Sequence, residues 1–455
     1  MVHAVEYHEF KFGGARIILN VNNLEVFLLD EFSLKLLNYL KHKPVEDISL
    51  LYKVFSKTKS QKIIKFLEES NLITNHNEKQ DLKPVKRDSN YSVNTIDLFL
   101  SQICNLSCIY CFERNNESLS GNNIKFMDSK TAERSIDFLI NISNDNNNLH
   151  VCFFGGEPLL NFKILKHTVL YAERLGDILN KKFFFSLTTN ATLLRDEVIS
   201  FLIKHKIRIL ISLDGDLQTH NANRPFSNGT GSYSQIIKNL KKLRKNKFDY
   251  SARATVTLKD INNINSNYKH LLSLGFNNIH FEHALGKNGN FQINSDIDIE
   301  VIKKQYYLIA KKIISNYKSG RKFSFTPITK SIGNIISGLK MNYSCFIGRG
   351  YLAIDVDGDI YLCHRLVGNR TFIMGNVMDD SYDTKWFDII HNEMDVDDRE
   401  KCSICWAKYL CGGGCYALNY ENNQDIRIPL ENYCKIIKYS IEMALMIYCK
   451  VNVND

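Results

Sequence analysis

Three cysteines near the end of the first quarter of the chain have the spacing of a metal-binding or cluster-binding loop. Cys104, Cys108 and Cys111 lie within eight consecutive residues, so one tight loop can present three thiolates together. Cysteine ligation of a four-iron cluster usually takes four thiolates, so three thiolates leave one iron open to a ligand that the protein does not supply. The spacing alone leaves a zinc site, or three unrelated core cysteines, as alternatives.

Seven further cysteines fall in the last quarter of the chain. Four of them have the spacing C-x2-C-x5-C-x3-C, which by itself is also compatible with zinc. The full set is Cys345, Cys363, Cys402, Cys405, Cys411, Cys415 and Cys434. We find no signal peptide and no membrane span in the sequence, so the 12 cysteines indicate metal ligation in a reducing compartment rather than disulfides. We therefore expect a cytoplasmic protein.

Six short β-rich segments alternate with helical stretches between about residues 95 and 320. This alternation predicts a parallel, barrel-like sheet, in which catalytic groups gather where strands end and loops begin. The predicted strands are Thr95–Leu100, His150–Phe154, Phe183–Leu187, Arg208–Leu213, Ala252–Thr257 and Ile279–Glu282. The first cysteine loop directly follows the first predicted strand.

Polar residues and glycines lie at the ends of these predicted strands. The second strand ends in Gly155-Gly156-Glu157-Pro158, where the glycines permit close backbone approach and the carboxylate can accept from a bound ammonium group. Comparable positions are held by Thr189, Asn190, Ser212, Arg224 and Arg253. Ordinary turn chemistry is the alternative for Ser212 and Arg224.

The cysteine loop and the Gly-Gly-Glu-Pro strand end together resemble the radical S-adenosylmethionine (radical SAM) superfamily, over about residues 95–320. The resemblance implies an α/β fold with a partial (β/α)6, TIM-like barrel. It also implies a [4Fe–4S] cluster on Cys104, Cys108 and Cys111, with S-adenosyl-L-methionine on the open iron. The cofactor would supply a 5′-deoxyadenosyl radical that removes a hydrogen atom from the substrate.

The same resemblance assigns roles to individual residues. It implies that Tyr110 lies beside the cofactor and that Gly156 and Glu157 lie near its amino group. Ser212 and Arg224 would lie near its ribose and carboxylate. The remaining candidates for the cofactor pocket are Gly155, Thr189, Asn190 and Arg253.

The C-terminal cysteines resemble the SPASM extension found in radical enzymes that modify peptides and proteins, over about residues 345–434. The resemblance implies two auxiliary [4Fe–4S] clusters, and hence three clusters in all. The outer cluster would be held by Cys402, Cys405, Cys411 and Cys434, and the inner one by Cys345, Cys363 and Cys415. The inner cluster then lacks a fourth cysteine. We interpret Cys152 and Cys449 as structural, with completion of the inner cluster as the alternative.

Two departures separate this chain from anaerobic sulfatase-maturing enzymes. Those enzymes carry another cysteine shortly after the one that matches Cys345, and an aspartate where this chain has His364. The stretches 361–365 and 402–416 instead look like those of thioether-forming maturases of sactipeptides and ranthipeptides. His364 is our candidate catalytic group, which would accept a proton from a substrate thiol or orient its thiolate. A histidine with a purely structural role is the alternative.

We therefore expect an S-adenosylmethionine-dependent oxidoreductase that joins a cysteine sulfur to an acceptor-residue carbon in a ribosomally made precursor peptide. The enzymatic alternatives are a formylglycine-forming sulfatase maturase and another SPASM peptide-crosslinking enzyme. The non-enzymatic alternative is an iron–sulfur redox sensor that binds DNA.

The first 80 residues predict a small winged-helix domain. Ala15–Val21 and Leu24–Leu29 form a predicted hairpin around an Asn22-Asn23 turn, and helical patterns follow near 32–41, 46–56 and 59–70. The domain resembles the leader-peptide recognition element of ribosomal-peptide maturases, which captures an extended leader as an added strand. Our candidate surface is the Ile17–Val21 and Val26–Leu29 hairpin, and a domain that only buttresses the barrel is the alternative.

The predicted division of the chain is a recognition domain at 1–80, a linker at 81–94, the barrel at 95–320, a bridging region at 321–344 and the SPASM domain at 345–455. The net charge of +9 is spread over predicted helix faces, which indicates a solvated surface rather than a nucleic-acid site. The expected partners are a precursor peptide with a leader and an electron donor such as flavodoxin or ferredoxin, with no membrane and no nucleic acid.

Overall fold

A computed structural model describes residues 1–12, 14–74, 92–111, 125–246, 248–285, 291–320, 324–379 and 382–452. Most of the predicted linker, including the polar run 75–90, lies outside the described residues. Within the described parts of the chain, no helix is both long enough and apolar enough to cross a membrane.

The N-terminal unit combines a three-stranded sheet with a small helical layer. Its elements in chain order are β1 (His3–Ala4), β2 (Tyr7–Phe12), β3 (Ala15–Asn20), β4 (Val26–Leu29), α1 (Glu31–His42), α2 (Leu51–Val54), α3 (Lys57–Glu69) and β5 (Ile73–Thr74). The predicted hairpin corresponds to β3 and β4. The sheet order β2-β3-β4 adds β2 beside β3, and this strand was not predicted from the sequence. Asp30 begins α1 by accepting from the Ser33 backbone N–H at 2.7 Å.

The two faces of this sheet are buried against different partners. Alternation along β3 places Ile18 in a core formed with α1 and α3, whereas Ile17 and Leu19 belong to the core of the rest of the molecule. On β2, the ring of His8 stacks on Trp406 at 3.5 Å between centroids. The N-terminal unit is therefore packed onto the C-terminal region by buried apolar surface.

A ten-stranded sheet forms the centre of the molecule. The elements of its first part are β6 (Thr95–Ser101), α4 (Ser129–Ile142), β7 (Asn148–Gly155), α5 (Phe162–Leu179), β8 (Lys182–Thr189), α6 (Asp196–Lys204), β9 (Arg208–Ser212), α7 (Leu217–Asn223), α8 (Tyr233–Lys245), β10 (Tyr250–Val256), α9 (Ile264–Ser273), β11 (Asn278–His283), α10 (Asp296–Lys318), β12 (Ser324–Phe325) and α11 (Thr326–Ser337). All six predicted barrel strands are present, and consecutive strands from β6 to β12 pair in parallel. The sheet is open, because β12 lies at one edge, as a partial barrel requires.

The C-terminal region continues the same sheet. Its elements are β13 (Tyr351–Ile354), β14 (Asp359–Tyr361), β15 (Ile373–Asn376), α12 (Lys385–Glu393), α13 (Glu400–Ser403), α14 (Lys408–Cys411), α15 (Tyr416–Asn423) and α16 (Glu431–Asn452). β13 pairs in parallel with β6, so Ala353 lies opposite Asp97. The sheet order β12-β11-β10-β9-β8-β7-β6-β13-β14-β15 is thus continuous across the predicted boundary at residue 345.

Alternation along the barrel strands separates an apolar face from a polar one. In β7, Leu149, Val151 and Phe153 are fully buried in the main core, whereas the residues between them are partly exposed. Full burial of each such side chain contributes roughly 1.5–3 kcal/mol. The other face of the sheet, which we call the lumen, carries the partly exposed Cys152, Ser186, Arg253 and Glu282 and the buried Asp97.

Candidate functional site

The first cysteine loop follows β6 at the edge of the sheet where the parallel strands end. Cys104, Cys108 and Cys111 are all partly buried. Burial, together with the charges of Glu157 and of the other two thiols, raises the pKa of Cys104 to about 12. The three thiols therefore lie close together. A bound metal reverses this shift, because its positive charge deprotonates a coordinating thiol.

Two glycines at the end of β7, Gly155 and Gly156, hold this loop by close backbone contact. A Cβ atom at Gly155, whose φ is +110°, would lie 2.4 Å from the Ser101 carbonyl oxygen, and one at Gly156 would lie 2.3 Å from that of Ile103. The N–H of Gly156 donates to Ser101 at 2.8 Å, and the N–H of Glu157 donates to Ile103 at 2.9 Å. Only glycine fits at these two positions, because the backbone at the end of β6 and at the start of the cysteine loop occupies the space of a side chain.

Glu157 is completely buried and joins the ends of β7 and β8. Its carboxylate accepts from the N–H of Leu159 at 3.1 Å, the hydroxyl of Thr189 at 2.7 Å and the N–H of Asn190 at 2.8 Å. Burial raises its pKa to about 7, although these hydrogen bonds act in the opposite direction. The predicted contact of Glu157 with a cofactor amino group stays a prediction.

A buried carboxylate, Asp214, connects the two cofactor candidates Tyr110 and Arg224. It accepts from the Tyr110 hydroxyl at 2.5 Å and from Nε of Arg224 at 3.0 Å. The Arg224 guanidinium lies 5.3 Å from the centre of the Tyr110 ring, and its Nη1 lies 4.0 Å from Sγ of Cys108. Sequence reasoning did not single out Asp214. Its position two residues after β9, in Ser212-Leu213-Asp214-Gly215, was the available signal.

The lumen beyond this network carries charged side chains from the next two strands. Ser212 lies opposite Arg253 in the parallel register, and Nη2 of Arg253 lies 4.0 Å from Glu282. Nε2 of His280 lies 3.2 Å from the same carboxylate. Burial raises the pKa of Glu282, but the hydrogen bond and charge of His280, with the charges of Arg253 and Arg365, outweigh burial and lower the pKa to about 2. Glu282 is thus an ionised carboxylate in the lumen.

The predicted inner set of cysteines comes together from three separate segments. Burial raises the pKa of Cys363 well above its usual range, and the charges of Cys415 and Cys345 add to the shift. The charge of Glu282 also raises the pKa of Cys415, so the inner set lies beside the lumen.

Residues of two strands surround His364, next to Cys363. Its Nδ1 lies 2.7 Å from the Tyr351 hydroxyl oxygen and 2.9 Å from Oδ2 of Asp97. The Tyr351 hydroxyl donates to Asp97 at 2.5 Å. Because that hydroxyl has one hydrogen, Nδ1 of His364 must carry a proton to bond with it, and Nε2 is then the acceptor nitrogen of a neutral ring.

The predicted outer set also comes together. Burial and, to a smaller extent, the charges of the other three thiols raise the pKa of Cys434 to about 12. These thiols belong to Cys402, Cys405 and Cys411. Trp406, the residue that stacks on His8, lies within the same loop, so the outer set adjoins the N-terminal sheet.

The two remaining cysteines belong to neither assigned set, although Cys152 lies beside Asp97, which contacts His364. Cys152 is partly buried in the lumen and accepts from the Ser186 hydroxyl at 3.0 Å, while Cys449 is buried in α16. In the described parts of the chain, no three His, Cys, Asp or Glu side chains are close enough to hold a single metal ion.

Comparison with known proteins decides the family. A model of the radical SAM superfamily matches residues 98–264, and one of an iron–sulfur cluster-binding domain, SPASM, matches residues 345–407. An uncharacterized protein of Methanocaldococcus jannaschii is 30% identical over 277 residues, which cover 61% of this chain and 86% of that protein. The chain belongs to the radical SAM superfamily. The predicted radical SAM and SPASM fold is confirmed, and the chain is an S-adenosylmethionine-dependent enzyme with iron–sulfur clusters.

Two further relatives of this radical SAM enzyme are informative. A cysteine-type anaerobic sulfatase-maturating enzyme of Clostridium perfringens is 25% identical over 75% of this chain and 93% of its own length. The structure of Streptococcus suis SuiB bound to precursor peptide SuiA has a TM-score of 0.54 at 18% identity, and the match covers 95% of this chain and 100% of SuiB. The second match shows the fold alone.

The residues of this radical SAM enzyme fit a cluster and its cofactor. Three grouped thiols supply soft ligands, and the backbone contacts of Gly155 and Gly156 hold the loop that carries them. When bound, the cluster and cofactor supply the radical chemistry. The protein orients the thiolates and places charged groups on the lumenal face of the sheet.

Proposed function

We propose that this enzyme forms thioether crosslinks between cysteine sulfur and an acceptor-residue carbon in a ribosomally made precursor peptide. The observation that carries the proposal is the inner set of Cys345, Cys363 and Cys415 beside the lumen, with His364 next to it. Three cysteines provide one ligand fewer than a four-iron cluster usually takes, and a substrate thiolate would complete the set. Each crosslink forms a carbon–sulfur bond at the expense of an S–H and a C–H bond: the 5′-deoxyadenosyl radical would take the hydrogen atom from carbon, a base the proton from sulfur, and the auxiliary clusters the remaining electron.

The arrangement of His364 supports a role toward the substrate sulfur. Because Asp97 and Tyr351 hold its Nδ1, the ring presents Nε2 as an acceptor for a thiol hydrogen. The ring lies 5.0 Å from that of Phe154, a lumenal residue of β7, so it adjoins the space in which a substrate would lie. His364 and the inner cysteines would act on the same substrate group.

The proposed substrate is a peptide with a leader sequence. SuiB, whose fold is similar, has been crystallised with its precursor peptide. In this chain β3 is the central strand of its sheet, so it has no edge for an added strand, and the β4 edge is the better candidate. Leu28 on β4 and Phe66 on α3 are 44% and 41% exposed, and the Phe66 ring packs edge-on against Phe27 at 6.1 Å. A leader strand could bury these apolar groups.

Substitution at this edge tests leader binding better than deletion of the domain. Deletion of residues 1–80 would expose the part of the main core that Ile17 and Leu19 occupy. We expect Leu28→Lys to weaken leader-peptide binding about tenfold, since it removes a buried contact of roughly 1.4 kcal/mol, while uncoupled cofactor cleavage stays unchanged. Fluorescence anisotropy with a labelled leader measures the effect. Val54→Lys, at an exposed position of α2, is the matched control, and equal weakening by both variants would contradict a site at the β4 edge.

The thioether proposal is tested by anaerobic incubation with a cysteine-rich precursor peptide and a chemical reductant. We expect the mass to fall by two hydrogens per crosslink, and the linked cysteines to resist thiol alkylation. A product that is lighter but fully alkylated would rule out thioether formation.

Formylglycine formation is the second candidate, favoured by the 25% identity to the sulfatase-maturating enzyme. In that reaction the substrate cysteine loses its sulfur and becomes an aldehyde, so the product reacts with a hydrazide probe. A thioether product retains its sulfur and does not react. Membership of the S-adenosylmethionine-dependent enzymes leaves no support for the DNA-binding sensor.

The proposal also covers the number of clusters, the electron donor and the location of the enzyme. We propose three [4Fe–4S] clusters, a flavodoxin or ferredoxin as the electron donor, and a cytoplasmic location. Iron and sulfide analysis of the anaerobically purified enzyme would give about twelve of each per chain if three such clusters are present.

A further inference from the structure

The turn that follows β8 is buried, strained and held from several sides. Ala191 has a φ of +60°, a left-handed conformation that alanine rarely adopts. Its N–H donates to the Thr189 hydroxyl at 3.0 Å, and Asn239 donates to the carbonyl oxygens of Ala191 and Thr192 at 2.9 and 3.0 Å. An unfavourable backbone conformation that is supported in this way is typical of a functional site.

Three side chains close a ring of hydrogen bonds between this turn and the first cysteine loop. Asn190 donates to Oδ1 of Asn105 at 2.9 Å, and Asn105 donates to the Thr192 hydroxyl at 2.8 Å. The Thr192 hydroxyl donates to Oδ1 of Asn190 at 2.7 Å. Asn105 is the residue directly after Cys104, so the ring ties the cysteine loop to the end of β8.

The backbone fixes which way the Asn190 amide points. The N–H of Thr192 donates to Oδ1 of Asn190 at 3.0 Å, and a backbone N–H can only donate. The other amide atom is therefore the nitrogen, which removes the usual ambiguity of an asparagine side chain. One of its hydrogens is taken by Asn105, and the nitrogen lies 3.7 Å from Sγ of Cys104, within hydrogen-bonding distance of sulfur. The Asn190 side chain is nearly fully buried, at 6% exposure.

We propose that Asn190 donates an N–H···S hydrogen bond to the Cys104 thiolate of the radical cluster and thereby raises the reduction potential of that cluster. Reduction makes the cluster more negative, so a donor to one of its thiolates stabilises the reduced form more than the oxidised form. Asn105 and the backbone N–H of Thr192 keep the donor aimed at sulfur. Asn190, predicted from sequence to line the cofactor pocket, acts on the cluster in this proposal.

The test compares variants of the complete enzyme with all its clusters. Asn190→Ala removes the donor, and Asn190→Asp removes it while retaining an oxygen that can accept from Thr192. Thr192→Val is the matched control, because it breaks the ring but keeps the backbone N–H that orients Asn190. Electron paramagnetic resonance during a redox titration gives the potential, followed on the signal that changes when S-adenosylmethionine is added.

We expect Asn190→Ala to reduce the ratio of reduced to oxidised cluster about tenfold at a fixed potential, which is a shift of about 59 mV for one electron. Asn190→Asp should shift it further in the same direction, because it also adds negative charge. Thr192→Val should produce less than a third of the Asn190→Ala shift.

Two results would overturn the proposal. One is an unchanged potential in the Asn190 variants that retain full iron content. The other is an equal shift in Thr192→Val, which would assign the effect to loop packing instead. If Asn190→Ala loses its iron, Asn190→Asp carries the test. Peptide crosslinking is not measured, so the outcome does not depend on the proposed thioether function.

Discussion

The first cysteine loop and the inner cysteine set each offer three thiols, but their surroundings differ. The first loop is one short segment whose backbone rests on Gly155 and Gly156, and its neighbouring polar side chains bond mainly to one another. The inner set draws Cys345, Cys363 and Cys415 from distant parts of the chain, and Cys345 is exposed. The first arrangement holds its ligands on one backbone segment that is in close contact with two glycines. The second places them where a substrate group could join them.

Removal of one cysteine from each set gives the largest expected effects. Cys104→Ala should reduce 5′-deoxyadenosine formation to background, because the loop then offers only two thiolates. Cys363→Ala should retain most cofactor cleavage while crosslinked peptide falls below detection. Chromatography for the nucleoside and mass spectrometry for the peptide measure the two outcomes. Normal crosslinking by Cys363→Ala would show that the two sets do not differ in role.

Substitution of Gly156 tests whether rigid backbone contact defines the first site. Gly156→Ala places a methyl group 2.3 Å from a backbone oxygen that cannot move without displacing the cysteine loop, so we expect loss of most iron from the radical cluster. Gly333→Ala is the control, since nothing lies within 4 Å of its Cβ position in α11. It should be neutral or stabilise the enzyme by roughly 0.5–1 kcal/mol. Iron content and the S-adenosylmethionine-sensitive resonance signal distinguish the two variants.

Substitution of Asp97 is expected to have a smaller effect, which is confined to formation of the crosslinked product at the inner set. Asp97→Asn removes the charge beside Nδ1 of His364, which should lower crosslinked product about tenfold, or roughly 1.4 kcal/mol in barrier, at unchanged cofactor cleavage. The ratio of product to 5′-deoxyadenosine measures this uncoupling. Ser186→Ala, on the same lumenal face, is the control. If cofactor cleavage fell in parallel with product, Asp97 would belong to the first site instead.

The smallest expected effect on activity concerns Asp355, at the end of β13. Burial, followed by the charge of Asp359, raises its pKa from 3.8 to about 7. Because the folded state holds this proton more tightly, the associated stability is complete below about pH 4 and is lost as pH rises to about 7, by at most about 4 kcal/mol. Asp355→Asn should therefore flatten the decrease in unfolding temperature between pH 5.5 and 7.5. An unchanged slope, measured by calorimetry, would contradict this account.

Much of the fold followed from local sequence patterns. Each predicted barrel strand appears within two residues of its predicted start, because alternation and β-rich composition are local properties. The hairpin β3–β4 was also predicted, whereas β2, with its mixed sequence Tyr-His-Glu-Phe-Lys-Phe, was not. The continuation of the sheet through β13 could not be predicted, since a pairing between residues about 250 positions apart leaves no local signal.

For the site, the sequence by itself determined the ligand types and their grouping along the chain, because cysteine spacing within a loop is a local constraint. The tertiary structure decided which polar side chains face those cysteines. Asp214, Asn105 and Thr192 look like ordinary turn residues in the sequence, and Asp97 looks like one residue of a strand. They become neighbours of the cysteines only when parallel strands bring their ends to one edge and β13 brings His364 against β6. Those contacts depend on packing between distant segments, which a linear pattern does not record.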